Sequence, residues 1–167
     1  MKHCISGVLL LAMLTLPCMA DELNNVRIAT AMTGAINARD LDALDAFVSP
    51  DVVRHSAATP DIVVTNLAEF KAFLETDFAT VSDSVQTIDV IFGGGDYVAV
   101  RARYIGTQDG PMGPFPASGK ILELPYIGIL RFEDEKIVEI WVEWDNLSAL
   151  SQLGHFPPPQ EKIADKE

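Results

Sequence analysis

Hydrophobic positions recur at helical spacing through the first part of the chain and at strand spacing through the rest. Between Asp21 and Asn37, Leu23, Val26, Ala29 or Thr30, and Ile36 mark one face of a helix. Asp40 can cap a second helix, in which Leu41, Leu44, Phe47 and Val48 share a face. Ser49-Pro50 closes it, because the residue before proline is pushed out of the helical region. Asp51 to His55 reads as a turn or a single helical turn, and residues 56–61 as a loop. Asn66 followed by Glu69 has the form of a capping box. It predicts a third helix with Leu67, Phe70, Phe73 or Leu74, and Phe78 facing inward.

From Val85 the pattern changes to strands. Thr87 to Phe92 and Tyr97 to Thr107 are rich in β-branched and aromatic residues and flank Gly93-Gly-Gly-Asp96. No helix follows these glycines, so they predict a hairpin turn rather than a phosphate loop. Gln108 to Gly119, with three glycines and three prolines, predicts a long loop. Lys120 to Glu133 and Lys136 to Asp145 are the last strands, joined by a turn at Glu133-Asp-Glu135. Alternation in the last strand puts Glu139, Trp141, Glu143 and Asp145 on one face and Val138, Ile140, Val142 and Trp144 on the other. The first of these faces combines aromatic surface with carboxylates, as a pocket wall with an acid at its rim would. Asn146 to Gly154 reads as a short closing helix.

Helices followed by a run of antiparallel strands define an α+β fold: three N-terminal helices on one face of a curved antiparallel sheet, with a cone-shaped cavity between the layers. No internal repeat or linker divides the chain, so residues 21–156 form one domain and residues 157–167 an extended, mobile tail. An apolar content of 49% is enough for a full core.

The first twenty residues change this picture. Met1-Lys2-His3 is a short basic start, Ile5 to Leu16 an apolar run too short to span a bilayer, and Cys18 and Ala20 are small residues before a cut at Asp21. Residues 1–20 therefore predict a signal peptide and a secreted or periplasmic mature chain. Pro17 disfavours lipid attachment at Cys18. Cleavage would remove both cysteines, and with Lys2 gone eleven basic residues face 24 acidic ones, a formal charge of −13. Such a chain has no thiol nucleophile and no basic cluster for nucleic acid or anionic lipid. Neutral, apolar or cationic small molecules remain as ligands. The mature chain has no HExxH pattern and no cysteine ligands, so no metal is expected.

Ala38-Arg-Asp-Leu-Asp-Ala-Leu44, Val53-Arg54-His55, Gly94-Gly-Asp-Tyr-Val98, Arg101, Gly106-Thr107, Gly113-Pro-Phe-Pro-Ala-Ser-Gly-Lys120, Arg131-Phe132, Lys136 to Asp145 and Gln152-Leu-Gly154 occur in the order seen in one family. Over residues 22–156 the chain resembles the SnoaL-like polyketide cyclases, or ester cyclases, which have the cone-shaped, cystatin-like fold of nuclear transport factor 2. The resemblance implies a homodimer and cofactor-free closure of a ring by intramolecular aldol condensation. In that chemistry a pocket carboxylate removes a proton next to a carbonyl, and the matching position here is Asp145. Gln108 stands where many relatives carry histidine, and Leu130 where some carry another, so imidazole is available only from His55.

Each candidate has a structural alternative. Asp145 is a base or the cap of the closing helix. Glu143 is its partner or a solvated carboxylate. His55 points into the mouth of the cone or is a hydrogen-bonded structural residue, and Trp141 is a pocket wall or plain core. Gln108, Tyr126 and Arg131 are candidate ligand contacts, although Tyr126 and Arg131 have opposite parity, so that only one faces the cavity unless a bulge intervenes. Arg101 and Arg103 share a face and are expected in cross-strand ion pairs. The expected function is small-molecule binding with acid–base catalysis. The alternative is a non-catalytic binding or dimerisation module of the same fold.

Overall fold

In the computed structural model, residues 16–157 are described, the first five of them by backbone alone. The expected signal peptide lies largely outside the described residues, as does nearly all of the C-terminal tail. Helices α1 (Leu16–Asn37) and α2 (Leu67–Thr80) lie on one face of a five-stranded sheet, and α3 (Asn146–Leu153) follows the last strand. The strands are β1 (Val48–His55), β2 (Val85–Gly94), β3 (Tyr97–Thr107), β4 (Ile121–Glu133) and β5 (Lys136–Trp144), in spatial order β1-β5-β4-β3-β2.

The α+β class and the β2–β5 meander are as expected, whereas the segment after α1 is not. In place of a helix over Leu41–Val48 there is a 3-10 helix, Asp42–Ala46, and then β1, which pairs parallel to β5. The sheet is therefore mixed rather than wholly antiparallel. Pro50 hides this strand in the sequence. β1 lies at the sheet edge, where a missing N–H is tolerated, and its register shifts between Val48 and Val53.

Core side chains come from the helix-facing surface of the sheet: Val98, Val100 and Ala102 from β3, Leu130 and Phe132 from β4, Ile137 and Ile140 from β5. Ile137 is buried where strict alternation predicts Val138, because the β4–β5 register shifts beside Phe132. In α1 the buried stripe is Asn25, Ala29, Met32 and Ile36, while Leu23, expected inside, stands in solvent. In α2, Phe70 and Leu74 are buried. Asn66 caps α2 by accepting from the Glu69 N–H at 2.9 Å, and Glu69 accepts in return from the Thr65 N–H at 2.7 Å. The capping box thus closes one residue early.

The glycine run is a hairpin turn, with Gly95 at φ +58° between β2 and β3. The 108–119 loop folds back on α2 so closely that a Cβ on Gly110 would lie 1.9 Å from the Ala79 carbonyl oxygen. Only glycine fits there.

Candidate functional site

Exposure along the inner face of the sheet is uneven. Val98, Leu130, Phe132 and Ile137 are sealed, but farther along the same strands Tyr104, Tyr126, Val142 and Trp144 are only half-buried. The main core therefore loosens at one end, beyond which Leu122 and Leu124 close again against Ala149 and Leu153 of α3. At the loose end α2 contributes Phe73, Asp77 and Phe78, and β1 contributes Arg54.

Arg54 is 6% exposed. Its guanidinium stacks over Phe73 at 4.3 Å, lies 5.9 Å from the Trp144 ring and donates to Thr59 Oγ1 at 3.0 Å. Burial lowers its pKa, and the charges of Glu143 and Asp77 oppose that. The Tyr104 hydroxyl donates to Asp77, with its oxygen 3.1 Å from each carboxylate oxygen. Burial pushes the Asp77 carboxyl up to about 6, against the pull of the Tyr104 hydrogen bond, Arg39 and Arg54. Burial, then the charge of Asp77, also raises the Tyr104 phenol. Tyr126 faces the same interior, bonds Gln86 Oε1 and is pushed up to about 12 by burial.

The residues expected at the site from sequence divide between three places. Tyr126 lies inside the cone. Trp141, expected as a pocket wall, faces away from the helices with Glu139 and Glu143, as alternation from the inward Ile140 requires. His55 ends β1 on that outer face; its ring stacks on Trp141 at 5.2 Å and its Nε2 lies 3.1 Å from Glu139 Oε1. Arg131 is also outside the cone, its Nε 2.6 Å from Glu139 Oε2. The Arg131 and His55 contacts hold the Glu139 carboxyl below the usual range. Glu143 accepts from the N–H groups of Ala57 and Ala58 at 2.7 and 3.1 Å, pinning the loop after β1.

Gln108 is fully buried. Its amide nitrogen donates to the Gly110 and Pro116 carbonyls, and its oxygen accepts from the Ser118 N–H and meets His155 Nε2 at 3.0 Å. It organises the 108–119 loop, and His155, expected in an extended segment, packs there on Phe115 at 4.8 Å. Asp145 caps α3 with one oxygen: Oδ1 accepts from Leu147 N–H at 2.9 Å and Ser148 N–H at 3.1 Å. Its Oδ2 has no hydrogen-bond partner among the described residues. Arg101 and Arg103 pair with Asp89 at 2.6 and 3.0 Å, the cross-strand pairing expected of them.

Asp77 was not singled out from sequence, yet a signal for it exists. It falls three residues after Leu74, four after Phe73 and seven after Phe70, so a carboxylate sits within the apolar stripe of α2. A separate groove of about 260 Å³ on the outer face, lined by Val85, Thr87, Ile105, Thr107 and Ile121, offers little chemistry. Its one carboxylate, Asp83, is tied to the N–H and hydroxyl of Thr107.

The Asp77 environment has a consequence for stability. The unfolded carboxyl loses its proton near pH 4 and the folded one near 6, so between these values the folded state binds more protons. Stability contributed by this group is present below pH 4 and is lost as pH rises through 6. Asp77→Asn removes the penalty, and the variant should gain on the parent by on the order of 2 kcal/mol between pH 4 and 7. Urea unfolding at the two pH values measures this; an equal gap at both contradicts it.

Comparison with known proteins agrees with this architecture. The family model for SnoaL-like polyketide cyclase matches residues 26–153. Among solved structures, AclR, a putative hydroxylase from Streptomyces galilaeus, is 26% identical with a TM-score of 0.71, over 81% of this chain and 99% of that one. IdmH, a putative polyketide cyclase from Streptomyces antibioticus, is 27% identical with a TM-score of 0.70, over 78% and 98%. An LEH-like epoxide hydrolase from M. tuberculosis, 15% identical with a TM-score of 0.65 over 80% and 91%, shares the fold. No curated protein matches the sequence. With the family model covering the sheet and the helices packed on it, the chain belongs to the SnoaL-like polyketide cyclase family and has the nuclear transport factor 2-like fold.

Proposed function

We propose that this chain binds a small neutral or apolar carbonyl compound at the loose end of the cone and catalyses proton transfer next to the carbonyl, without a cofactor. The observation that carries this reading is the half-buried stretch between the main core and the small cluster under α3, where aromatic rings stand with Asp77 and Tyr104 beside the buried Arg54. Such a place holds a ligand by apolar contact and offers few, directed polar groups. A leader peptide at residues 1–20 would place this activity outside the cytoplasm.

Asp145 is the base in this reading. It matches the carboxylate position of the family and stands at the junction of β5 and α3. Its two oxygens divide the labour: Oδ1 holds the first turn of α3, and Oδ2 is left to take a proton. Asp145→Asn keeps the cap, whereas Asp145→Ala removes it at a cost of about 1 kcal/mol. Deuterium uptake at the α-carbon of 2-tetralone in D2O, followed by NMR, tests the base directly. Both variants should slow catalysed exchange by on the order of a hundredfold, and only the alanine variant should lose stability. Undiminished exchange in Asp145→Asn would remove the role.

The outer face favours a second copy of the chain. Phe92 on β2 and Ile127 and Ile129 on β4 are 62%, 60% and 42% exposed there, on either side of β3, which adds Tyr97. This is a continuous apolar surface of the kind a symmetric dimer covers. Sedimentation equilibrium should give twice the chain mass, and Ile127→Glu should shift it toward the monomer. A monomeric parent protein contradicts the dimer.

A further inference from the structure

We propose that Asp77, bridged by the Tyr104 hydroxyl, exchanges a proton with the carbonyl or enol oxygen of a ligand in the cone, as a second acid–base group beside Asp145. The proposal rests on the reading that the cone holds the ligand.

The geometry has three parts. Among the described residues Tyr104 is the sole hydrogen-bond partner of the Asp77 carboxylate, and it meets both oxygens at one side. A carboxylate has about four acceptor positions, so most of its capacity is directed elsewhere. Asp77 is half-buried, and Phe73 and Phe78 flank it on α2. The charged and titratable groups facing it are Tyr104 from β3, Arg39 beyond the end of α1 and Arg54 from β1. Glu143 acts on Arg54 from behind. No group facing Asp77 forms an ion pair with it; Arg39 is turned over Phe78 at 4.0 Å and Arg54 over Phe73. Both cations bias the carboxyl without closing it off. Its proton comes and goes near neutral pH, in the range where an acid–base catalyst works best.

The step balances within the two carboxyl groups. Asp145 takes the proton from the carbon next to the carbonyl, and the C–H pair becomes the C=C bond of an enol. The carbonyl π pair moves to oxygen, which takes the proton from neutral Asp77. In return, the enol O–H gives its proton back to Asp77 as C=O reforms and the carbon bonds to a second carbonyl carbon. The oxygen of that second carbonyl takes the proton held by Asp145. Both residues finish as they began.

A phenol mimics the enol, so fluorescence titration with 2-naphthol and with 2-methoxynaphthalene between pH 4.5 and 8 tests the contact. The ionised Asp77 accepts the naphthol hydroxyl, so 2-naphthol should bind about tenfold tighter above the transition near pH 6 than below it. The methoxy compound, which has no donor, should show no transition. Asp77→Asn should flatten the 2-naphthol profile, and Tyr104→Phe should move its midpoint to higher pH by removing the hydrogen bond that favours the carboxylate. If Asp77→Asn keeps the transition, or if both probes share one profile in the parent protein, Asp77 does not meet the ligand and the proposal falls while ligand binding stands. If neither probe binds the parent protein, the reading of the cone as a ligand site falls with it.

Discussion

Arg54 carries a full positive charge into a part of the molecule where it is 6% exposed, and a cation taken out of water must be compensated by rings, acceptors and counter-charges around it. That requirement ties together elements that are distant in sequence. The guanidinium touches Phe73 of α2, reaches Trp144 of β5 and bonds Thr59 in the loop after β1. Glu143 answers its charge from β5 while its own oxygens anchor that loop through Ala57 and Ala58. The loose end of the cone is the space organised around this side chain. Without Arg54, Asp77 would lose one of the charges that bias its proton, and α2 would lose a contact to β1.

Strand alternation then separates two kinds of surface. Successive residues of β1 and β5 face opposite ways, so Arg54 and Trp144 serve the interior while their neighbours His55 and Glu143 serve the other side. The His55, Trp141, Glu139 and Arg131 contacts form a chain of stacking and ion pairing on the outer face. Exposed ion pairs of that kind contribute little stability individually, and here they flank the apolar surface proposed to meet a second copy. The inner face keeps the chemistry that needs a low dielectric: a carboxyl with a raised pKa and phenols held neutral.

What was legible in the sequence followed from period. The β2–β5 strands, the hairpin glycines, the α2 cap and the opposite facing of Tyr126 and Arg131 all came from alternation or from local turn chemistry. β1 was not legible, because Pro50 and a register shift break its period and only the partner strand β5 reveals it as an edge strand. Missing β1 hid the inward turn of Arg54 and left His55 without a face. The carboxylate-and-tryptophan face of β5 was read correctly as one face, but alternation cannot say which layer it meets. That choice was settled by the helices packing against Ile140 and Val142. Gln108 shows the opposite limit: its match to a histidine position of the family suggested ligand contact, while burial gives its hydrogen-bonding capacity to the loop backbone and His155.

The central claim is that ligand binds on the inner face, at the loose end of the cone, and the chain holds two tryptophans that report on the two faces separately. Trp144 lies inside, near Arg54, and Trp141 outside, under His55. Fluorine NMR of protein carrying 5-fluorotryptophan, titrated with 2-methylnaphthalene, reads both at once. The Trp144 resonance should shift on binding and the Trp141 resonance should hold its place. A shift confined to Trp141 would contradict the account and move the binding site to the outer face of the sheet.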